Sequence, residues 1–493
     1  MRQTIQLGLF CLSSFCLSTA AIANDIITVD RLSDITPDSW AATTLKSTMQ
    51  KYNSPLTYPP ETLTRLEFAM LWRRVFAEMP ESIDFDTMRF RQRLERDFAA
   101  EIANLPSIEP KYVLDRLKTT EDNEKEPEFV PTVQLEGEAL LSLTQIGSGN
   151  RIDEEGKRDD NLTLGSRIRL NIDASFDGED RLRTRLQSNS IVKVNEATGT
   201  DLSRLSFQGD NGNKLELSRL EYYFPIDDNG TVYFEGAGSS LNDFAHTFNP
   251  YLSGSSKGAI SRFAQRNPIY RQGEGSGVGL DYKFNDTVGI SIGYLANEVE
   301  DPEIGFGNAA YGTILQLNLY PTESIELGLT YVHSYNSIDT GTGTEKANDP
   351  FNDNSEAIEG NSFGLQTNID LGSNFYLGGW VGMTEATALD LPNQPSATIL
   401  NWAITLGIPD IGGEGNLLGF AVGQPPNTIS NDYTEDDRPY EDIDASFHIE
   451  GFYRWQMTDN LAVTFGVMTV TNPEGDSDND DLFLGTIRTT FSF

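Results

Sequence analysis

Four cations stand in one glycine- and serine-rich stretch, SSLNDFAHTFNPYLSGSSKGAISRFAQRNPIYRQGE, residues 239–274. Lys257, Arg262, Arg266 and Arg271 meet only Asp243 and Glu274 there, in a chain whose formal net charge is −38. Such a local reversal of sign creates a field that attracts and orients anionic groups. A second basic group recurs at every other residue: Arg167 and Arg169, then Arg181, Arg183 and Arg185. Either these arginines line a water-filled wall, or they form structural ion pairs with acids such as Asp173 and Glu216. Both arrangements can hold at once. Covalent catalysis has little to work with: the three histidines, His246, His333 and His448, have no nucleophile or ligand partner at diagnostic spacing. The expectation is therefore no enzyme, no cofactor and no metal. Asp476, Asp478 and Asp480 have the spacing of a calcium loop, but Asp481 stands where glycine is needed and Ile487 where the closing Glu is needed. NDYTEDDRPYEDID and PEGDSDNDD instead read as solvated acidic loops, able to bridge divalent cations to lipopolysaccharide.

The elements that must position these cations are strands. From Thr132 onward the pattern has period two, clearest in LTLGSRIRLNIDASF. Leu162, Leu164, Ile168, Leu170, Ile172, Ala174 and Phe176 share one face there, and Thr163, Arg167, Arg169, Asn171 and Asp173 the other. SIELGLTYVHSY and SFHIEGFYRWQ repeat it. Sixteen such segments begin near residues 133, 162, 181, 214, 230, 276, 287, 310, 323, 361, 374, 397, 415, 445, 460 and 482. Short turns (FDGED, IDDNG, FNDT, PTES, LGSN, MTDN) alternate with long loops, and PDIGGEG is the least typical of the short ones. No stretch after the first 23 residues approaches the ~20 apolar residues of a membrane helix. Short turns at one end and long loops at the other predict an all-β transmembrane antiparallel barrel of about sixteen strands. Its arginines must then face the lumen or the rim, because an arginine in lipid at mid-bilayer depth costs about 2–4 kcal/mol, and they are assigned to the pore wall. The 239–275 segment is the third long loop and the longest.

Residues 1–23 read as a secretory signal, with Arg2, an apolar run from Ile5 to Leu17, and Ala21-Ile22-Ala23 as the cleavage site. Cys11 and Cys16, the two cysteines, both fall inside it. Residues 24–80 have helical patterning, and 81–131 read as an amphipathic helix (Phe90, Leu94, Phe98, Ile102, Leu105) followed by a charged, proline-punctuated linker. Residues 132–493 form the barrel. The net charge repels nucleic-acid phosphate. At the C-terminus, RTTFSF continues an outward stripe through Phe483, Gly485, Ile487, Thr489, Phe491 and Phe493, with Arg488, Thr490 and Ser492 facing inward.

LSDI (Leu32 to Ile35), Trp40 and LTRLEFA (Leu63 to Ala69) resemble the motifs of a surface-layer homology (SLH) domain. With the helix and the Phe-terminated barrel, the whole mature chain resembles cyanobacterial outer-membrane porins that join an SLH domain to a barrel of the carbohydrate-selective porin (OprB) family. The resemblance implies that Asp34, Trp40 and Arg65 grip an acidic peptidoglycan-linked polysaccharide, with Glu67 a structural partner of the arginine. Trp40 and Arg65 could instead hold the helices together. The family's glycine-rich middle motif is shortened here to LTYPPETLTR, which keeps Tyr58-Pro59 and neither glycine. The resemblance further implies that the 239–275 loop folds into the barrel as the constriction. It implies that Phe491 and Phe493 are a signal read by the outer-membrane assembly machinery, and that the protein is a homotrimer in outer-membrane lipid with its N-terminal domain in the periplasm. The 90–105 helix would either form a stalk between SLH domains or pack on its own module. The implied function is passive diffusion of small hydrophilic solutes and inorganic ions. A carbohydrate-selective channel, or mainly a tether between outer membrane and wall, are the alternatives.

Overall fold

The structure, a computed structural model, describes residues 34–52, 54, 58, 62–77, 79, 85–98, 132–153 and 156–493. The signal sequence, Ile102 and Leu105 of the amphipathic segment, the linker after it to residue 131 and part of the SLH-like motif region lie outside the described residues. Two units are separate, with the division between Glu128 and Phe129.

The second unit is a closed barrel of sixteen long antiparallel strands. In chain order these are β1 Thr132–Ile146, β2 Thr163–Ser175, β3 Arg181–Ile191, β4 Glu216–Asp227, β5 Gly230–Ser240, β6 Glu274–Lys283, β7 Val288–Ala296 and β8 Tyr311–Thr322. They continue with β9 Ile325–Tyr335, β10 Ile358–Asp370, β11 Tyr376–Ala388, β12 Ser396–Pro409, β13 Leu417–Asn431, β14 Phe447–Thr458, β15 Leu461–Thr471 and β16 Leu482–Ser492. Each strand starts within three residues of its sequence expectation, and PDIGGEG is a tight turn in which Asp410 Oδ1 accepts the Gly415 N–H at 2.7 Å. Closure comes from β1, which pairs with β2 on one side and with β16 on the other, from Glu138↔Ser492 to Ile146↔Leu484. A closed sheet has no free edge, so every strand finds its backbone partners within the chain.

Burial along the strands is the inverse of a soluble protein's. Leu329, Phe363, Leu365, Ile404, Phe465 and Ile487 are exposed, whereas their neighbours Thr330, Ser362, Gln366, Thr405, Thr464 and Arg488 are buried. An apolar outside and a polar inside suit a barrel whose outer solvent is hydrocarbon. His333 lies on this outer face, its ring 3.4 Å from the Tyr311 hydroxyl and 3.2 Å from Asn361 Oδ1.

At the seam, Gly137 and Phe493 exchange two backbone hydrogen bonds, of 2.5 and 2.9 Å. A Cβ on Gly137 would sit inside the Phe493 ring. Glycine is thus required because the aromatic lies flat across the backbone of β1. Gly137→Val should displace that ring and cost about 1–3 kcal/mol through overpacking. The check is the urea midpoint of the folded, heat-modifiable form, and an unchanged midpoint would show that the ring contact carries no stability.

The first unit has three helices: α1 Trp40–Lys51, α2 Arg65–Ala77 and α3 Phe85–Asp97. Ser39 caps α1 by accepting the Ala42 N–H, and Glu67 closes a capping box with Thr64 at the start of α2. Ile35 and Leu63 exchange backbone hydrogen bonds of 2.6 and 3.0 Å, so the ends of the two SLH-like motifs pair. Leu45, Phe68, Leu71, Leu94 and Phe98 share one core. The part of the α3 seam formed by Phe90, Leu94 and Phe98 is therefore used within its own unit, as local packing requires, and Ile102 and Leu105 lie outside the described residues.

Candidate functional site

The 241–273 loop crosses the lumen. It leaves β5, reaches the opposite wall, and returns to β6. On the far side, Glu450 of β14 accepts the Ile260 and Ser261 N–H groups at 2.6 and 3.0 Å, with its carboxylate fully buried. Arg488 of β16 donates to the Ser255 and Gly258 carbonyls at 2.9 and 2.6 Å, and Thr490 donates to that of Ser256 at 3.0 Å. On the return path Asn267 Nδ2 donates to the Val381 carbonyl (3.2 Å), and Tyr270 Oη donates to Gln316 Oε1 (2.6 Å). Strand glycines make room: a Cβ at Gly293 would collide with Phe244, and one at Gly466 would lie 2.7 Å from Ile260. Charge-assisted bonds to backbone groups are the strong class of latch. His448 also belongs to the latch, 3.3 Å from Glu450 Oε2, rather than to any catalytic pair.

The inward arginines of the wall divide by partner. Arg167 is almost fully buried under the loop, between Glu138 at 3.0 Å and the Ser256 hydroxyl at 3.0 Å, so it anchors the loop instead of lining open pore as its sequence position suggests. Arg169 binds Gln187 and Ser255, and Arg185 binds Asn171, all neutral groups. Arg183 pairs with Asp173 at 2.5 Å, the partner expected from the sequence, and with Glu136. Arg181 pairs with Glu221 at 2.6 Å and stacks over Tyr223. Arg219 joins Glu221 to Asp243, and its position on β4 escaped sequence reading.

The loop cations are different. Among the described residues, no carboxylate lies within ion-pair distance of Arg262, Arg266 or Arg271. Arg262 Nε, Arg266 Nε and Arg271 Nη1 are buried and donate to no protein acceptor. Arg204, from the 192–215 loop, joins them. Its carbonyl accepts the Arg262 N–H at 2.8 Å, and Ser206 N donates to the Ile260 carbonyl at 2.8 Å. Nothing in the loop sequence marks Arg204, because its placement depends on two loops meeting. Burial, then the Arg204 and Arg266 charges, pushes Arg262 down to about 10. It stays charged at neutral pH. Lys257 is exposed and gives its carbonyl to Arg454 at 2.8 Å.

At the long-loop end, carboxylates hold loops together. Glu474 accepts the Glu345 N–H at 2.5 Å and the Thr200 hydroxyl, and Asp442 accepts the Thr428 N–H at 2.7 Å and the Thr344 hydroxyl at 2.8 Å. Burial, reinforced by Asp442 and Glu345, raises Glu474 from 4.5 to about 7, and burial raises Asp442 to about 6. The folded loops therefore bind more protons than the open ones, and the junction is strongest below pH ~4.5 and loosens as pH rises through about 7. Amide exchange in 340–350 and 472–481, corrected for intrinsic rates, should speed up between pH 5 and pH 8. Glu474→Gln should flatten that dependence, and a flat wild-type profile would contradict it.

In the first unit, Trp40 is partly exposed, with the Arg93 guanidinium 3.7 Å above its ring and Phe90 edge-on. Arg65 donates to the Asp97 carbonyl at 2.7 Å and lies 4.3 Å over Phe98. Both residues thus join helices. Asp34 is exposed, and Glu67 accepts from Thr64.

A family profile described as "Carbohydrate-selective porin, OprB family" matches residues 119–493. An uncharacterised protein of Synechocystis sp. is 31% identical over 516 aligned positions, covering 95% of this chain and 91% of that protein. One from Nostoc sp. is 29% identical, with 95% and 86% covered. Among solved structures, Pseudomonas putida OprB is similar at 12% identity and a TM-score of 0.47, over 74% of this chain and 94% of its own. An anion-selective porin from Comamonas acidovorans is similar at 11% identity and a TM-score of 0.43, over 73% and 100%.

Proposed function

Because this chain belongs to the carbohydrate-selective porin, OprB family, we propose that its outer-membrane channel passes small hydrophilic solutes and inorganic ions passively, with the 241–273 loop as its constriction. The observation that supports this most is the loop itself, latched at both walls of a polar lumen and carrying cations that no carboxylate neutralises. Selectivity in such a channel comes from the width and charge of its narrowest ring. Lys257, Arg262, Arg266 and Arg271 of the loop, with Arg169 and Arg185 of the wall, set that charge, while Arg181 and Arg183 shape the field as pairs with Glu221 and Asp173. Liposome swelling by the refolded protein tests the reading: rates should fall smoothly with solute size. The family's description favours a second reading, a sugar-selective channel. Saturable block of ion current by a neutral sugar would support it.

The first unit serves as a periplasmic wall anchor in this reading, with Asp34 and the exposed part of Trp40 offered to an acidic peptidoglycan-linked polysaccharide. Co-sedimentation of the full chain with cell-wall sacculi should weaken in Asp34→Asn and Trp40→Ala, and unchanged sedimentation would remove the anchor. Assembly is as a homotrimer in outer-membrane lipid and lipopolysaccharide, inserted by machinery that reads Phe491 and Phe493.

A further inference from the structure

Three loops meet around one group of guanidiniums. Arg204 comes from the 192–215 loop and Arg262, Arg266 and Arg271 from the 241–273 loop, while Gly341 of the 336–357 loop seats between the first two. A Cβ at Gly341 would collide with Arg204 Nη1 and lie 3.5 Å from Arg262 Nε, and the backbone there is left-handed, with φ 59°. Arg271 Nη2 donates to the Arg262 carbonyl at 2.5 Å, so the guanidiniums are tied through backbone and not through acids. The nearby carboxylates do not satisfy them. Asp243 is taken by Arg219, which shares Glu221 with Arg181. Asp339 accepts the Gly341 N–H at 2.6 Å and, like Glu274, lies beyond ion-pair distance of the four arginines. Four guanidinium charges stand against Asp339, Glu274 and, beside Asp339, Asp201, so the group keeps a net positive charge. Clustered charges of one sign are held only at a cost, and guanidinium donors aimed at no protein acceptor are free to take an anion.

We infer that Arg204, Arg262, Arg266 and Arg271 form a binding site for a small tetrahedral oxyanion in the lumen. Planar guanidinium forks match the paired oxygens of a tetrahedral oxyanion, and its negative charge offsets the excess. The site rests on the channel reading above only for its role: an oxyanion held at the constriction would be drawn in ahead of chloride and would slow chloride while resident. Arg204, Arg262 and Arg266 are partly exposed, so the site opens to the lumen.

Calorimetric titration of the refolded full chain in detergent with inorganic phosphate, sulfate and chloride at matched ionic strength tests the site. Phosphate and sulfate should bind about one per chain, and more tightly than chloride. Arg204→Gln combined with Arg262→Gln should weaken them at least about tenfold, the loss expected from two charge-assisted hydrogen bonds. Arg438→Gln, on an exposed loop, should change nothing. If the double variant loses its heat-modifiable form, Arg204→Lys keeps the charge without the fork and should still weaken phosphate several-fold. Phosphate binding no tighter than chloride, or affinity unchanged in a folded variant, would overturn the site. Bilayer currents separate the two readings. A protein that conducts potassium chloride with no saturable inhibition by phosphate keeps the channel and loses the site. One that binds phosphate and conducts nothing keeps the site and loses the channel.

Discussion

Arg262→Glu together with Arg266→Glu should turn the channel toward cations. The pair changes four units of charge at the loop that crosses the lumen, where no carboxylate neutralises the native side chains. One charge acting on a passing ion at 4 Å is worth about 1 kcal/mol in water, and less beyond ~10 Å at 0.1 M salt. Four units at somewhat longer range therefore amount to about 1–3 kcal/mol, roughly 5- to 150-fold in the ratio of cation to anion permeability. Reversal potential in a potassium chloride gradient reads this ratio directly. The shift should shrink as salt rises, because screening shortens the reach of the field. An unchanged reversal potential in a folded variant would remove the loop from the conduction path.

Glu450→Ala should widen the channel and make it noisy. Glu450 is the one acceptor for the Ile260 and Ser261 N–H groups, from a strand about 190 positions away in sequence. Truncation leaves both donors buried and unpaired, and strands His448 beside them. Removing one partner of a buried charge-assisted set costs about 2–5 kcal/mol, enough to compete with the remaining latches at Arg488 and Thr490. Open-state conductance should rise, with fluctuations as the loop undocks and returns. Glu450→Gln, which retains one acceptor oxygen, should lie between. Wild-type conductance and noise in Glu450→Ala would mean that the other anchors suffice alone.

The strands are legible in the sequence because their two sides meet different solvents. Hydrocarbon outside and water or polar loop inside force alternation, and Leu162 through Phe176 show it with only Ser166 breaking the apolar stripe. Arg183 with Asp173 is legible for the same reason, since the two face each other directly across β2 and β3. What escapes is whatever depends on contacts between loops or across the lumen. Arg167 has the alternation of a pore-lining residue, yet the Ser256 hydroxyl covers it. Arg488 is visibly inward, but its three bonds to loop carbonyls depend on where a loop more than 200 positions earlier comes to rest. Arg204 gives no signal at all. In the first unit, the periodicity of Phe90, Leu94 and Phe98 shows an apolar face without saying what covers it, and the covering partners are Leu45, Phe68 and Leu71.

The central claim is that a polar, loop-crossed lumen in this barrel conducts. Single-channel recording of the refolded, heat-modifiable full-length protein in a planar bilayer tests it most directly. Discrete, ohmic conductance steps in potassium chloride are the expected result. The absence of any conductance from well-folded, bilayer-inserted protein would contradict it.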